Sequence, residues 1–92
     1  MVSGCLIGNW RVSKEGTTAR LGVITSSRIG NAVARSRARR LLREAFRLHQ
    51  NDFKTGVDVV VIARNSIVGK GLAEVEKDFL TIVRKAGLSK QA

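Results

Sequence analysis

Seven consecutive residues, Val57-Asp58-Val59-Val60-Val61-Ile62-Ala63, constrain the fold more than any other part of this chain. They are apolar on nearly both parities, the pattern of a strand buried on both faces at the centre of a sheet. The chain has 92 residues, which is room for one domain, here read as residues 1–92. A domain of this size buries roughly 60–65% of its extended surface, so its core is modest.

The flanking periodicities say what surrounds that strand. The segment Val2 to Val12 reads as one strand, with Leu6, Trp10 and Val12 on one parity and Cys5, Ile7, Asn9 and Arg11 on the other. Ser13-Lys14-Glu15-Gly16 is a polar turn of the kind that closes a hairpin. A second strand is expected from Thr18 to Ser26, with Gly22 marking a bulge or a close backbone approach. The period then changes. Asn31 is a good N-cap for a helix over Ala32 to Gln50, and Asn51, Asp52 and Gly56 mark its exit. Beyond the central strand, a loop with Ser66, Gly69 and Gly71 leads to a second helix. There Leu72, Val75, Phe79, Ile82, Val83 and Ala86 recur at helical spacing, and Gly87 stops it. The order strand, strand, helix, strand, helix predicts an α+β fold, a small α/β sandwich with about three to four strands.

Charge decides what such a domain binds. There are 17 Lys and Arg against 7 Asp and Glu, a formal net charge of +10. With 43% apolar residues the chain is not a disordered basic tail. A single cysteine makes no internal disulfide, and with a single histidine it makes no tetrahedral zinc site. The longest apolar run, Val59 to Ala63, is far short of a membrane span, and no secretory signal opens the chain. A reducing, cytoplasmic setting and a polyanionic partner, nucleic acid, are therefore expected.

The excess is concentrated. From Arg28 to Arg47 there are seven arginines and one acid, Glu44. Arg35, Arg39, Arg43 and Arg47 follow one another at i, i+4, with Arg40 flanking the row and Arg37 further round. Ala34, Ala38, Leu41, Leu42, Ala45 and Leu48 fall on the opposite face. At 1.5 Å per residue the row spans about 18 Å, enough to reach several phosphates. A solvated charged face is the plain alternative, but such faces mix signs, because like charges at i, i+4 repel. Arginine adds a planar fork suited to phosphate. The backbone N–H groups after Gly30-Asn31, beside Arg28, offer an anion site or simply a capped helix start.

The stretch Arg28-Ile29-Gly30-Asn31-Ala32-Val33-Ala34-Arg35-Ser36-Arg37-Ala38-Arg39-Arg40-Leu41-Leu42-Arg43-Glu44 closely resembles the signature of the bacterial ribonuclease P protein component. That signature runs through a basic residue, a Gly-Asn-Ala-Val turn, an Arg-Asn-Arg core and a Lys/Arg-Arg pair followed by Arg-Glu. Arg20-Leu21-Gly22 and Val59-Val60-Val61-Ile62-Ala63-Arg64 are similar to its flanking strands, so the resemblance covers roughly residues 18 to 86. It implies an RNA-binding subunit of the ribonucleoprotein that removes 5′ leaders from precursor tRNA. The catalytic centre would be built by the RNA and its magnesium ions, and the protein itself would carry no cofactor. The resemblance also implies two parallel strands joined through the helix by a left-handed crossover, against the usual handedness. Carried onto this chain, the RNA-binding positions are Arg28, Asn31, Arg35, Ser36, Arg37, Arg39, Arg40 and Arg43.

Two departures stand out. Ser36 occupies the place of the central Asn, and a hydroxyl cannot make the bidentate contact of an amide. Family members also begin with a basic segment and an aromatic-bearing helix that helps to line a leader cleft. This chain starts at Met1-Val2-Ser3 with an aromatic content of 4%, so that helix is expected to be missing. An apolar patch left uncovered would then favour weak self-association. Trp10 either stacks on a leader base, worth about 1–3 kcal/mol, or packs at the sheet rim.

Catalytic constellations are not evident. His49 stands alone near a helix end, Glu74 and Asp78 read as exposed i, i+4 neighbours, and Cys5 reads as a buried thiol. Two other classes compete with the RNA-binding subunit. A DNA-binding regulator would place the basic helix in a major groove, yet no helix-turn-helix pattern occurs. A self-sufficient nuclease would need chemistry from Glu74 or His49.

Overall fold

Val57–Ala63 forms the central strand the sequence demanded, and both its edges are filled by strands that precede it in the chain. The computed structural model describes residues 1–12, 19–53 and 56–89. Four strands, β1 (Val2–Ser3), β2 (Leu6–Val12), β3 (Arg20–Ile24) and β4 (Val57–Ala63), make one mixed sheet in the order β1-β2-β4-β3. Helix α1 (Ala32–His49) joins β3 to β4, which run parallel as neighbours, and α2 (Leu72–Lys85) follows β4.

Several expectations are corrected by this arrangement. The Val2 to Val12 strand is two strands, because Gly4-Cys5 makes a two-residue turn that pairs Ser3 with Leu6. Gly4 sits at φ 55°, a conformation hairpin turns reserve for such a residue. The second and third strands do not form a hairpin; β4 inserts between them, antiparallel to β2 and parallel to β3. A central strand needs a hydrogen-bonding partner along each edge, and that requirement outweighs the local preference for a hairpin. Of its two faces, however, only one is covered by the described residues, and Val60 on the other is exposed. The expected Ser13–Gly16 turn and Thr18 lie outside the described residues. Gly22 makes no close approach, since a Cβ there would meet Val60 at an ordinary 3.6 Å. Gln50 belongs to a 3-10 turn rather than to α1.

Both helices cover one face of the sheet. Leu6, Val57, Val59, Val61 and Ala63 point into the helix layer, where Ala38, Leu42 and Ala45 of α1 meet Val75, Phe79, Ile82 and Val83 of α2. Phe79 is fully buried, its ring centroid 6.0 Å from that of Phe53 and 6.5 Å from that of Phe46. The opposite face is open, with Ile24, Val60 and Val2 all exposed. Helix α2 ends as Gly87 predicted: Gly87 (φ 70°) and Leu88 donate back to Arg84 and Val83, a Schellman stop whose Leu88 is buried.

Asp78 is not the exposed neighbour the spacing implied. One of its oxygens, Oδ2, accepts from Cys5 N–H at 3.1 Å and from the Cys5 thiol at 3.3 Å, pinning the β1–β2 turn to α2. Burial, then the Asp78 hydrogen bond, push the Cys5 thiol up to about 11 from its ordinary 9.0. Thiolate at neutral pH is thus reduced about a hundredfold, since each pKa unit is a factor of ten. Reaction of Cys5 with a disulfide reagent is expected to be slower by at least that factor in native than in urea-unfolded protein. Equal rates in the two states would show the thiol to be accessible.

Candidate nucleic-acid interface

Asn31 starts α1 as expected: its Oδ1 accepts from Ala34 N–H at 3.0 Å, satisfying one of the orphan donors of the first turn. Just before it, Ser27–Ile29 makes a 3-10 turn whose Ser26 hydroxyl accepts from Arg28 N–H. This places Arg28 and Asn31 together at the head of the helix. The buried stripe Ala38, Leu42 and Ala45 fixes the helix rotation, and the remaining face turns to solvent. Leu48 departs from the wheel: it is 47% exposed, and Phe46 takes its place against the core.

On the solvent face the arginines fall into two groups. Arg28, Arg37, Arg40 and Arg43 are exposed, and their guanidiniums make no hydrogen bond or ion pair among the described residues. The others are held. Arg35 donates to Gly30 O at 3.1 Å, and Arg47 pairs with Glu44, holding that carboxyl below its ordinary range. Arg39 donates Nη1–H to Thr25 Oγ1 at 2.9 Å and Nη2–H to Ser36 Oγ at 3.1 Å. Arg35 and Arg39 are half-buried, because the i, i+4 row drifts from the flank of the helix to its outer face. A hollow of about 340 Å³ is lined by Ser36, Arg39, Arg40, Arg43, Glu44 and Arg47. A second, of about 440 Å³, lies over Ala32, Val33, Ser36, Arg37 and Arg40, with Val33 76% exposed among the cations. The predicted positions are therefore gathered on one face, phosphate-sized hollows between them. Thr25 was missed, since nothing local in the sequence marks a strand-end threonine as a partner for an arginine two turns into a helix.

Trp10 lies apart from this face. Its register with Val59 puts it on the helix side of the sheet, near the free edge of β2, where it is 37% exposed. A shallow depression of about 350 Å³, lined by Asn9, Trp10, Arg11, Asp58 and Val60, lies on the open side of the sheet, where Asn9 pairs with Val60 and Arg11 with Asp58. Asp58 accepts from Arg20 at 2.9 Å and 3.0 Å and from Arg11 at 3.4 Å, and those guanidiniums, the Arg20 hydrogen bond foremost, keep its carboxyl below the usual range.

His49 is a bridge rather than a lone side chain. Its Nε2 lies 2.9 Å from Glu76 Oε2 on α2, and its Nδ1 lies 3.3 Å from Asp52 Oδ2. Desolvation works against the charged imidazole, but the hydrogen bonds to Glu76 and Asp52 outweigh it and raise the His49 pKa above its ordinary value. A raised folded pKa contributes stability fully below the unfolded value, about 6.5, and loses it as pH rises through the folded one. The melting temperature is expected to fall as pH rises above about 6.5, and His49→Gln to flatten that part of the profile. A slope that survives the substitution would assign it to other groups. Glu74 is committed locally, accepting from Gly71 N–H at 3.3 Å at the start of α2. Among the described residues no three His, Cys, Asp or Glu side chains gather as metal ligands, and no helix is long and apolar enough to cross a membrane.

Comparison with known proteins agrees with the signature. The Ribonuclease P family model matches residues 4–87. The ribonuclease P protein component of Clostridium beijerinckii is 43% identical over 70 residues, which are 76% of this chain and 56% of that protein. That of Brevibacillus brevis is 38% identical over 84 residues, 90% of this chain and 67% of that protein. This chain thus spans little more than half the length of the first relative and two thirds of the second. Among solved structures, a Staphylococcus aureus RNase P protein mutant superposes with a TM-score of 0.79 at 26% identity, over 90% of this chain and 70% of that one. The Thermotoga maritima RNase P protein gives 0.76 at 24% identity, over 87% and 76%. The latter likeness is one of fold.

Proposed function

Because the chain belongs to the ribonuclease P protein family, we propose that it is the RNA-binding protein subunit of ribonuclease P, assisting a catalytic RNA in removing 5′ leaders from precursor tRNA. The observation that carries this reading is the arginine-rich outer face of α1, with Glu44 its one acid, set within the family signature and fixed in rotation by a buried stripe. Arg28, Arg37, Arg40 and Arg43 lie open to phosphates, and Arg35, Ser36, Arg39 and Asn31 border them. Charge-assisted hydrogen bonds to phosphate are the strong ones, and each neutralised phosphate releases counterions.

In this reading the protein acts within a cytoplasmic endoribonuclease ribonucleoprotein and contributes by positioning RNA. Bond cleavage belongs to the RNA subunit with magnesium, and the protein needs no cofactor of its own. Trp10 and the Arg11–Asp58–Arg20 cluster form a second surface, which the leader of the precursor tRNA would contact. Exposed Val2, Ile24 and Val60 on the open sheet face supply an apolar surface for weak self-association.

Reconstitution tests the assignment. Added to a transcribed bacterial ribonuclease P RNA at low magnesium, the protein is expected to raise the rate of leader removal from precursor tRNA, with no cleavage by the protein alone. If it neither binds that RNA nor accelerates cleavage, the assignment fails.

A further inference from the structure

The cations of this protein are held in two chemically different ways. Arg47 is paired with Glu44, and Arg11 and Arg20 share Asp58, so in each case a carboxylate fixes the guanidinium and offsets charge, fully for Arg47 and by half for the Arg11–Arg20 pair. Arg39 is fixed by two hydroxyls instead, Thr25 Oγ1 at 2.9 Å and Ser36 Oγ at 3.1 Å. Neutral acceptors orient a guanidinium while leaving its charge intact. We propose that Thr25, Ser36 and Arg39 form a phosphate seat, in which the two hydroxyls hold the guanidinium fork and all three side chains donate to one phosphodiester group of a bound RNA.

The donor inventory supports this. Arginine carries five N–H donors, of which the two hydroxyls take two. Each hydroxyl has one proton and two acceptor lone pairs, and here a lone pair receives Arg39. Neither hydroxyl donates a hydrogen bond among the described residues, although Thr81, elsewhere on a helix, donates to the carbonyl four residues back. The protons of Thr25 and Ser36 are thus left for an acceptor from outside. Ser36 and Arg39 also line the hollow of about 340 Å³ with Arg40 and Arg43, whose charges are unpaired among the described residues, and with Glu44, whose carboxylate is taken up by Arg47.

The seat is rigid by construction. Thr25 follows directly on β3, Ser36 lies one turn before Arg39 on α1, and the guanidinium bridges the two layers. A lysine would offer a single nitrogen; the planar fork reaches the two hydroxyls through separate nitrogens, to partners 14 and 3 residues away in the chain, and keeps further N–H groups for an anion. Thr25 therefore both orients the guanidinium and donates to the phosphate, and Ser36, where the family signature has asparagine, gains a role suited to a short hydroxyl.

This inference rests on the RNA-binding reading of α1 and is tested by a double-mutant cycle. The probe is a fluorescein-labelled transcript of a bacterial ribonuclease P RNA, titrated by polarisation at about 50 to 200 mM salt. Thr25→Val is expected to weaken binding about fivefold to tenfold, Ser36→Ala similarly, and Thr25→Ser to restore affinity to within about twofold. In an Arg39→Ala background, Thr25→Val should add less than about twofold, because without the guanidinium no phosphate is seated against the hydroxyl. Thermal melting checks folding; should Thr25→Val melt, Ser36→Ala carries the same cycle. The seat is overturned if the hydroxyl-free variants bind like the parent, or lose as much affinity with Arg39 absent as with it present. If Arg40→Ala and Arg43→Ala weaken binding while Arg39→Ala and Thr25→Val do not, the seat alone fails. If none of the four changes binding, the RNA reading of the helix fails with it.

Discussion

Replacing Arg40 and Arg43 together by alanine is expected to lower affinity for a ribonuclease P RNA by on the order of a hundredfold, with the fold intact. Both side chains are exposed on α1 and make no ion pair among the described residues, so their removal breaks nothing internal. Relief of like-charge repulsion along the helix should even add a few tenths of a kcal/mol to stability. The affinity loss follows from two charge-assisted hydrogen bonds to phosphate, each worth roughly 1.5–3 kcal/mol. Salt dependence gives an independent check. The slope of log K against log salt should become shallower by roughly 1.4–1.8, or 0.7–0.9 per lost contact. Titrations of parent and double variant at several salt concentrations measure both quantities at once. An unchanged slope would show that these two arginines never meet a phosphate, whatever happened to the affinity.

Phe79→Ala should have the largest effect on stability. Phe79 is fully buried on α2, between the helix layer and the sheet, and its ring meets those of Phe46 and Phe53. Truncating such a residue costs about 3–5 kcal/mol through lost transfer energy and an unfilled cavity. Domains of this size have about 5–15 kcal/mol in total, and a short chain sits toward the low end. A large fraction of the variant is therefore expected to be unfolded at physiological temperature, with a much lower urea midpoint by circular dichroism. Phe46, only half-buried, should tolerate truncation better. A midpoint for Phe79→Ala within about 1 kcal/mol of the parent would mean that the aromatic cluster relaxes around the loss.

Legibility in the sequence tracked how local the cause was. The start of α1 was readable because Asn31 caps within three residues of itself, and the end of α2 because Gly87 must adopt positive φ. The arginine face was readable because helical rotation is a fixed period and the buried stripe of Ala38, Leu42 and Ala45 sets its phase. Leu48 departs from that period at the last turn, where the aromatic cluster with Phe53 and Phe79 draws in the larger Phe46 side chain instead. The opening strand was read as continuous because a two-residue turn interrupts alternation too briefly to register. Asp78 looked solvent-facing because its partner, Cys5, is 73 residues away.

By itself, then, the sequence determined the central strand, both helices, the capped basic helix with its guanidinium face, and the family signature on it. Each is written in a period, a cap or a run of neighbours, and so survives without knowledge of what packs where. Tertiary structure alone decided that β4 separates β2 from β3, that His49 ties α1 to α2 through Glu76, and that Thr25 and Ser36 seat Arg39. Those depend on side chains from different elements meeting within about 3 Å, a matter of layer spacing and helix rotation. Composition fixed how much positive charge this protein carries; packing decided which of its arginines are neutralised, which are merely oriented, and which remain open to an anion.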